Sequence, residues 1–175
     1  MPRILINLAL FQIGWFACVV GAAGGWPWGG VAVAASVAAW HIWRSPRPRP
    51  EIRLMLVAAA VGVAFDSLLV AGGLLTYASP VPLSGMAPVW IVAMWACFAT
   101  TLNVGLRWLH GRTRLATMFG AAGGPAAYLG GEALGGVALS MPAIAALALG
   151  WGVIMPLLIA VAVRFDGWPA TPVRQ

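Results

Sequence analysis

Charge is scarce in this chain. Lysine is absent, only four acidic residues and two histidines occur, and charged residues make 8% of the 175 positions, against about 25% in soluble globular proteins. With 62% hydrophobic residues and a mean hydropathy of +0.92, a water-soluble fold is excluded, because so much apolar surface has nowhere to hide. Cysteine is also sparse. Cys18 and Cys97 each lie inside a long apolar run, away from any disulfide-forming compartment. Neither has metal-ligand spacing to a partner. They read as free buried thiols, and the sequence calls for no metal and no cofactor. Signatures of hydrolases, kinases and metalloproteases are missing as well.

The positive charge that is present has a pattern. All ten arginines fall at or near the ends of six apolar runs, and on alternate sides. Arg3 precedes the first run; Arg44, Arg47, Arg49 and Arg53 separate the second from the third. Arg107, Arg112 and Arg114 separate the fourth from the fifth, and Arg164 and Arg174 follow the sixth. The intervening loops carry no charge. Cytoplasmic loops retain arginine and lysine, so the asymmetry sets orientation as well as span count. The expected fold is an all-α, polytopic membrane bundle of six transmembrane helices with both termini in the cytoplasm, a single domain over residues 1–175. Its spans are expected over 4–23, 29–44, 52–75, 88–109, 115–136 and 139–163, each close to the roughly 20 residues a bilayer requires. Asn7, Gln12 and Trp15 interrupt the apolar core that a cleaved signal needs, so the first run is read as a retained helix. The net charge of +6 serves topology and anionic lipid headgroups rather than nucleic acid.

The connections agree. Gly24-Gly25-Trp26-Pro27-Trp28-Gly29-Gly30 breaks a helix and suits a headgroup-level turn. Ser45-Pro46-Arg47-Pro48-Arg49-Pro50 reads as a stiff, non-helical basic loop. Trp26, Trp28, Trp40, Trp43, Trp90, Trp108 and Trp168 fall near span ends as an aromatic belt, whereas Trp15, Trp95 and Trp151 fall inside spans and read as packing volume or lipid contact.

Polar groups inside spans carry the functional information, since hydrocarbon offers them no water. Asp66 is about fourteen residues, or roughly 21 Å, into the third span, and Glu132 about seventeen residues, or about 25 Å, into the fifth. Both belong to the outer half of the membrane, with no cationic side chain at that depth. Each carboxyl must be protonated, hydrogen-bonded to Tyr77, Tyr128, Ser67 or freed backbone amides, or balanced by a bound cation or ligand. Asp66, Tyr77, Tyr128 and Glu132 are the candidate ligand-binding residues. A second polar group is expected at the cytoplasmic rim from Asn7, His41, Glu51, Asn103 and His110. Two histidines and a glutamate suit acid and base chemistry, but His41 and His110 also stand where side chains snorkel to water, and Glu51 fits the first turn of a helix.

The fifth span holds two small-xxx-small pairs, Gly120 with Gly124 and Gly131 with Gly135, which permit close helix approach. With Pro125 between them, a kinked or discontinuous helix is expected. The pattern Ala71-Gly72-Gly73-x-x-x-Tyr77 recurs as Ala122-Gly123-Gly124-x-x-x-Tyr128 and reads as chance or convergent packing, not as an internal duplication.

Asn7-Leu8 to Phe11-Gln12-x-x-Trp15, Asp66 followed by Gly72 and Tyr77, Pro88-x-Trp90, Thr101-Leu102, and Gly124-Pro125-x-x-Tyr128-x-Gly130-x-x-x-Leu134-Gly135 together resemble an uncharacterised bacterial integral inner-membrane family, a domain of unknown function, over nearly the whole chain. The resemblance implies a lipid-related setting, near cyclopropane-fatty-acid-synthase-like methyltransferases and flavin oxidoreductases acting on lipids, and transfers no catalytic residue. Two readings follow. One is a lipid-related carrier or lipid-handling protein with an outer-half polar cavity; the other is a membrane-embedded lipid-modifying enzyme or its accessory subunit. Membrane lipids are the expected partners, with room for a membrane-protein partner or homo-oligomer.

Overall fold

The computed structural model describes residues 2–168; Arg174, the last flanking arginine, lies outside them. Six α-helices follow one another: α1 (Pro2–Ala23), α2 (Pro27–Arg44), α3 (Pro48–Ala71), α4 (Val89–Leu102), α5 (Thr113–Ala133) and α6 (Ala143–Arg164). Two short strands, β1 (Leu75–Tyr77) and β2 (Val137–Leu139), pair antiparallel with Thr76 opposite Ala138. The helices α1, α3 and α6 are long and apolar enough to cross a membrane.

The bundle has two unlike ends. The remaining nine arginines flank the start of α1, the α2–α3 and α4–α5 connections and the end of α6, and this is the arginine end. At the other end the β1–β2 ribbon joins the exits of α3 and α5. There α1, α3 and α5 all stop in the same way. Gly25, Gly73 and Gly135 adopt positive φ, and the next amide bonds back over the last turn, Trp26 to Gly21, Leu74 to Leu69 and Gly136 to Gly131. Glycine is the residue that takes this left-handed cap without a Cβ penalty.

Two expected boundaries move. Pro48, Arg49 and Pro50 are the first turn of α3 rather than part of a non-helical loop, because first-turn amides have no intrahelical acceptor and proline forfeits nothing there. The fourth span does not run to residue 109. Helix α4 stops at Leu102 after about 21 Å, where Thr100 and Thr101 bond back to Cys97 and Phe98 carbonyls and Asn103 is anchored elsewhere. A 3₁₀ turn over Arg107–Leu109 follows. Helix α5 runs unbroken through Pro125, so the discontinuous helix is not formed.

Short α4 is the pillar of the fold, packed among α1, α2 and α3, while α5 pairs with α6 and α6 reaches α3. The first glycine pair allows the α5–α6 approach: a Cβ at Gly120 would stand 2.2 Å from the Trp151 carbonyl oxygen, and one at Gly124 2.3 Å from the Trp151 ring. The second pair is not a helix-packing face of α5: Gly131 faces Val137 of the ribbon, and Gly135, in the cap beyond α5, faces Ala23 at the end of α1. The flanks are apolar, with Leu56, Leu68, Met118, Leu149 and Leu157 exposed. Trp26, Trp28, Trp40, Trp43 and Trp108 are exposed near helix ends as expected for a belt, but Trp90 and Trp168 are buried. Cys18 and Cys97 are buried free thiols.

Candidate functional site

Asp66 sits in the last third of α3, fully buried. Three neutral donors converge on it. Tyr77 and Tyr128 each donate a phenol hydrogen bond to Oδ1 at 2.5 Å, and the Trp95 indole donates to Oδ2 at 2.7 Å. Desolvation pushes the Tyr77 phenol well above its ordinary range, with Tyr128 and Asp66 adding to the effect, so it stays protonated and remains a donor. Of the expected partners, Tyr77 and Tyr128 are found. Ser67 instead accepts from the Ala87 amide.

Trp95 was not among the expected polar partners. Its indole lies over Gly62, one turn before Asp66 on α3, where a Cβ would come within 2.1 Å of the ring. That glycine is the sequence signal for a large side chain crossing α3 at this level. Trp95 also stacks on Trp151, with centroids 4.7 Å apart and planes at 12°. The two Ala-Gly-Gly-x-x-x-Tyr segments differ in backbone, the first ending α3 and the second lying within α5, yet their tyrosines meet at one carboxyl oxygen.

The three donors of Asp66 also line a cavity of about 440 Å³ enclosed by α1, α4, α5, α6 and the ribbon. Its wall is aromatic, with Phe11, Trp15, Trp90, Phe98 and Trp151 beside Tyr77, Trp95 and Tyr128. Along α1 it extends from Leu8 to Val19, about 16 Å at the helical rise. No arginine, histidine or acid lines it. The exposed lining residues, Gln12 on α1 and Phe119, Gly123 and Ala127 on α5, mark the mouth. It opens sideways between α1 and α5, through the apolar flank rather than at either end.

Glu132 is corrected. It lies in the last turn of α5, is exposed, and its Oε1 accepts the Leu139 amide at 2.8 Å. Because α5 ends at Ala133, this carboxyl is at the ribbon end, capping β2, and does not face the interior beside Asp66.

At the arginine end the structure gathers only part of the expected rim group. Glu51 is fully buried and accepts from Asn103 and the Gly167 amide at 2.8 Å each, with His41 Nε2 at 2.7 Å from its other oxygen. Trp168 Nε1 approaches the same imidazole nitrogen at 3.2 Å. One ring nitrogen cannot both donate and accept. The shorter contact to the buried carboxylate takes the proton, and the indole packs on the ring, tilted 57°. Arg107 adds bonds to Asp166 and to the Asn103 and Trp168 carbonyls. This cluster ties the exit of α6 to α2, α3 and α4. Asn7 and His110 stand apart from it: Asn7 bonds Thr100 and Gly105 backbone, and His110 the Leu102 carbonyl. No group of three or more potential metal ligands occurs among the described residues.

The family described as a protein of unknown function, DUF2878, matches residues 4–157. The chain belongs to that family. The match covers Asp66, its three donors and the whole cavity wall, so the site lies within the DUF2878 region. No curated protein and no solved structure matches the chain.

Proposed function

We propose that this chain is a lipid-handling protein of the bacterial inner membrane, crossing it six times with both termini in the cytoplasm, and that the aromatic cavity holds the lipid. The observation that carries the reading is the sideways mouth between α1 and α5. A binding site for a water-soluble solute would need an opening towards water, whereas this one lies between α1 and α5, helices that carry exposed apolar side chains such as Leu5 and Met118. Its volume lies in the range of small-molecule sites, about 300–1,000 Å³, and its apolar wall suits a hydrocarbon chain. The clustering of nine described arginines at one end supports the orientation.

The experiment is extraction and mass spectrometry of lipid co-purifying with the protein from a mild detergent. One lipid class enriched over the bulk membrane is expected. Gly123→Phe, which fills the mouth at a position where a Cβ meets only Phe119 at 4.0 Å, is expected to lose that lipid while keeping its thermal stability. Bulk-membrane composition on the wild type, or equal retention by Gly123→Phe, would overturn the reading. Comparing membrane lipids with and without the gene then identifies what is handled.

A further inference from the structure

The polar groups at the ribbon end of the cavity restrict the head of its ligand. Tyr77 and Tyr128 spend their only protons on Asp66, so what their oxygens retain for the cavity is lone pairs. A phenol whose proton is engaged in a hydrogen bond is also polarised into a better acceptor. Trp90 and Trp151 stand on the same wall with their indole nitrogens covered, so the rings present carbon to the cavity. With no cation on the wall to neutralise a phosphate or carboxylate, an anionic head is disfavoured. An ammonium could donate to the phenol oxygens but would lose its hydration against a wall that carries no acidic side chain. An ester or ketone has no proton to offer the tyrosines.

A hydroxyl offers a proton without carrying a charge. We propose that the cavity takes an uncharged lipid alcohol, its hydroxyl donating to the tyrosine oxygens and its chain running towards Leu8 and the mouth. This rests on the lipid-handling reading above and names the class of lipid. Gln12 adds to it. Its amide lies halfway along α1 at the mouth with no hydrogen-bond partner among the described residues, and a second polar group on the lipid would find it there.

Four tryptophans line the cavity, so their fluorescence reports occupancy. Purified protein, delipidated in detergent, is titrated with palmityl alcohol, palmitylamine, palmitate and methyl palmitate, each brominated mid-chain as a quencher. The alcohol is expected to bind about tenfold tighter than the other three, the value of one well-made hydrogen bond. Tyr128→Phe and Tyr77→Phe, checked for thermal stability, are expected to reduce that preference and to leave methyl palmitate binding unchanged. Tighter binding of the amine, carboxylate or ester, equal binding of all four, or a preference untouched in a folded tyrosine variant would overturn the assignment of the head while leaving a lipid-binding cavity. If none of the four quenches, the cavity reading itself falls.

Discussion

Trp95 reaches Asp66 only because Gly62 leaves it room. The indole of α4 crosses α3 where a Cβ would stand 2.1 Å from its Cγ, and from there its N–H donates to Oδ2 at 2.7 Å. Gly62→Ala should therefore cost about 1–3 kcal/mol through overpacking, although alanine is the better helix former. The check is thermal unfolding in detergent, together with the near-ultraviolet dichroism of the stacked Trp95 and Trp151. An unchanged transition would show that Trp95 can lie elsewhere.

Gly120 and Gly123 are three residues apart on α5 but should respond in opposite directions to alanine. At Gly120 the new Cβ meets the Trp151 backbone at 2.2 Å, which separates α5 from α6. At Gly123 it meets only one ring carbon at 4.0 Å, so the gain in helix propensity of up to about 1 kcal/mol remains. Parallel melting curves should show Gly120→Ala lowered and Gly123→Ala equal to or above wild type.

Glu51→Ala removes the acceptor of three separate groups, His41, Asn103 and the Gly167 amide. Leaving those donors buried should cost about 3 kcal/mol or more, and it should free the segment after α6. Limited proteolysis is the sensitive readout, with faster cleavage near Gly167 than in wild type. Glu51→Gln keeps one acceptor oxygen and should lose less.

The proposed orientation is tested by single cysteines at exposed positions, since Cys18 and Cys97 are buried. Ser84→Cys, in the segment before α4, should react with an impermeant thiol reagent added to intact cells. Arg49→Cys and Arg112→Cys should react only after permeabilisation. Labelling of Arg49→Cys from outside would reverse the topology.

Six helices were legible because each is an apolar run bounded by glycine, proline or arginine. The end of α4 was not, since Val104 to Leu106 continue the run and hydropathy does not register that Asn103 is drawn to Glu51 and the Phe165 carbonyl. Asp66 with Tyr77 and Tyr128 could be grouped from depth alone, as few other donors share that level. Trp95 could not, because an intramembrane tryptophan reads equally well as packing volume. Depth misled for Glu132. Counting into a span that was taken to run to 136 placed it inside, whereas the left-handed cap at Gly135 ends the helix first. His41, Glu51 and Asn103 were gathered by nearness to one rim, and the same criterion drew in Asn7 and His110, whose bonds are to the backbone around the end of α4.

The β1–β2 ribbon limits how this molecule can move. It stitches the exits of α3 and α5 together by strand pairing, and the cluster around Glu51 and Gly167 stitches the far end of α6 to α2, α3 and α4. Rocking one group of helices against the other, as a solute pump does, would tear one seam at every cycle. Between the seams α1 and α5 face each other across the mouth, and parting them slightly in the plane breaks neither. Under the proposed lipid-handling function, traffic through such a body runs in two dimensions: what enters from a leaflet returns to that leaflet, and the protein is a berth within the sheet of lipid instead of a passage across it.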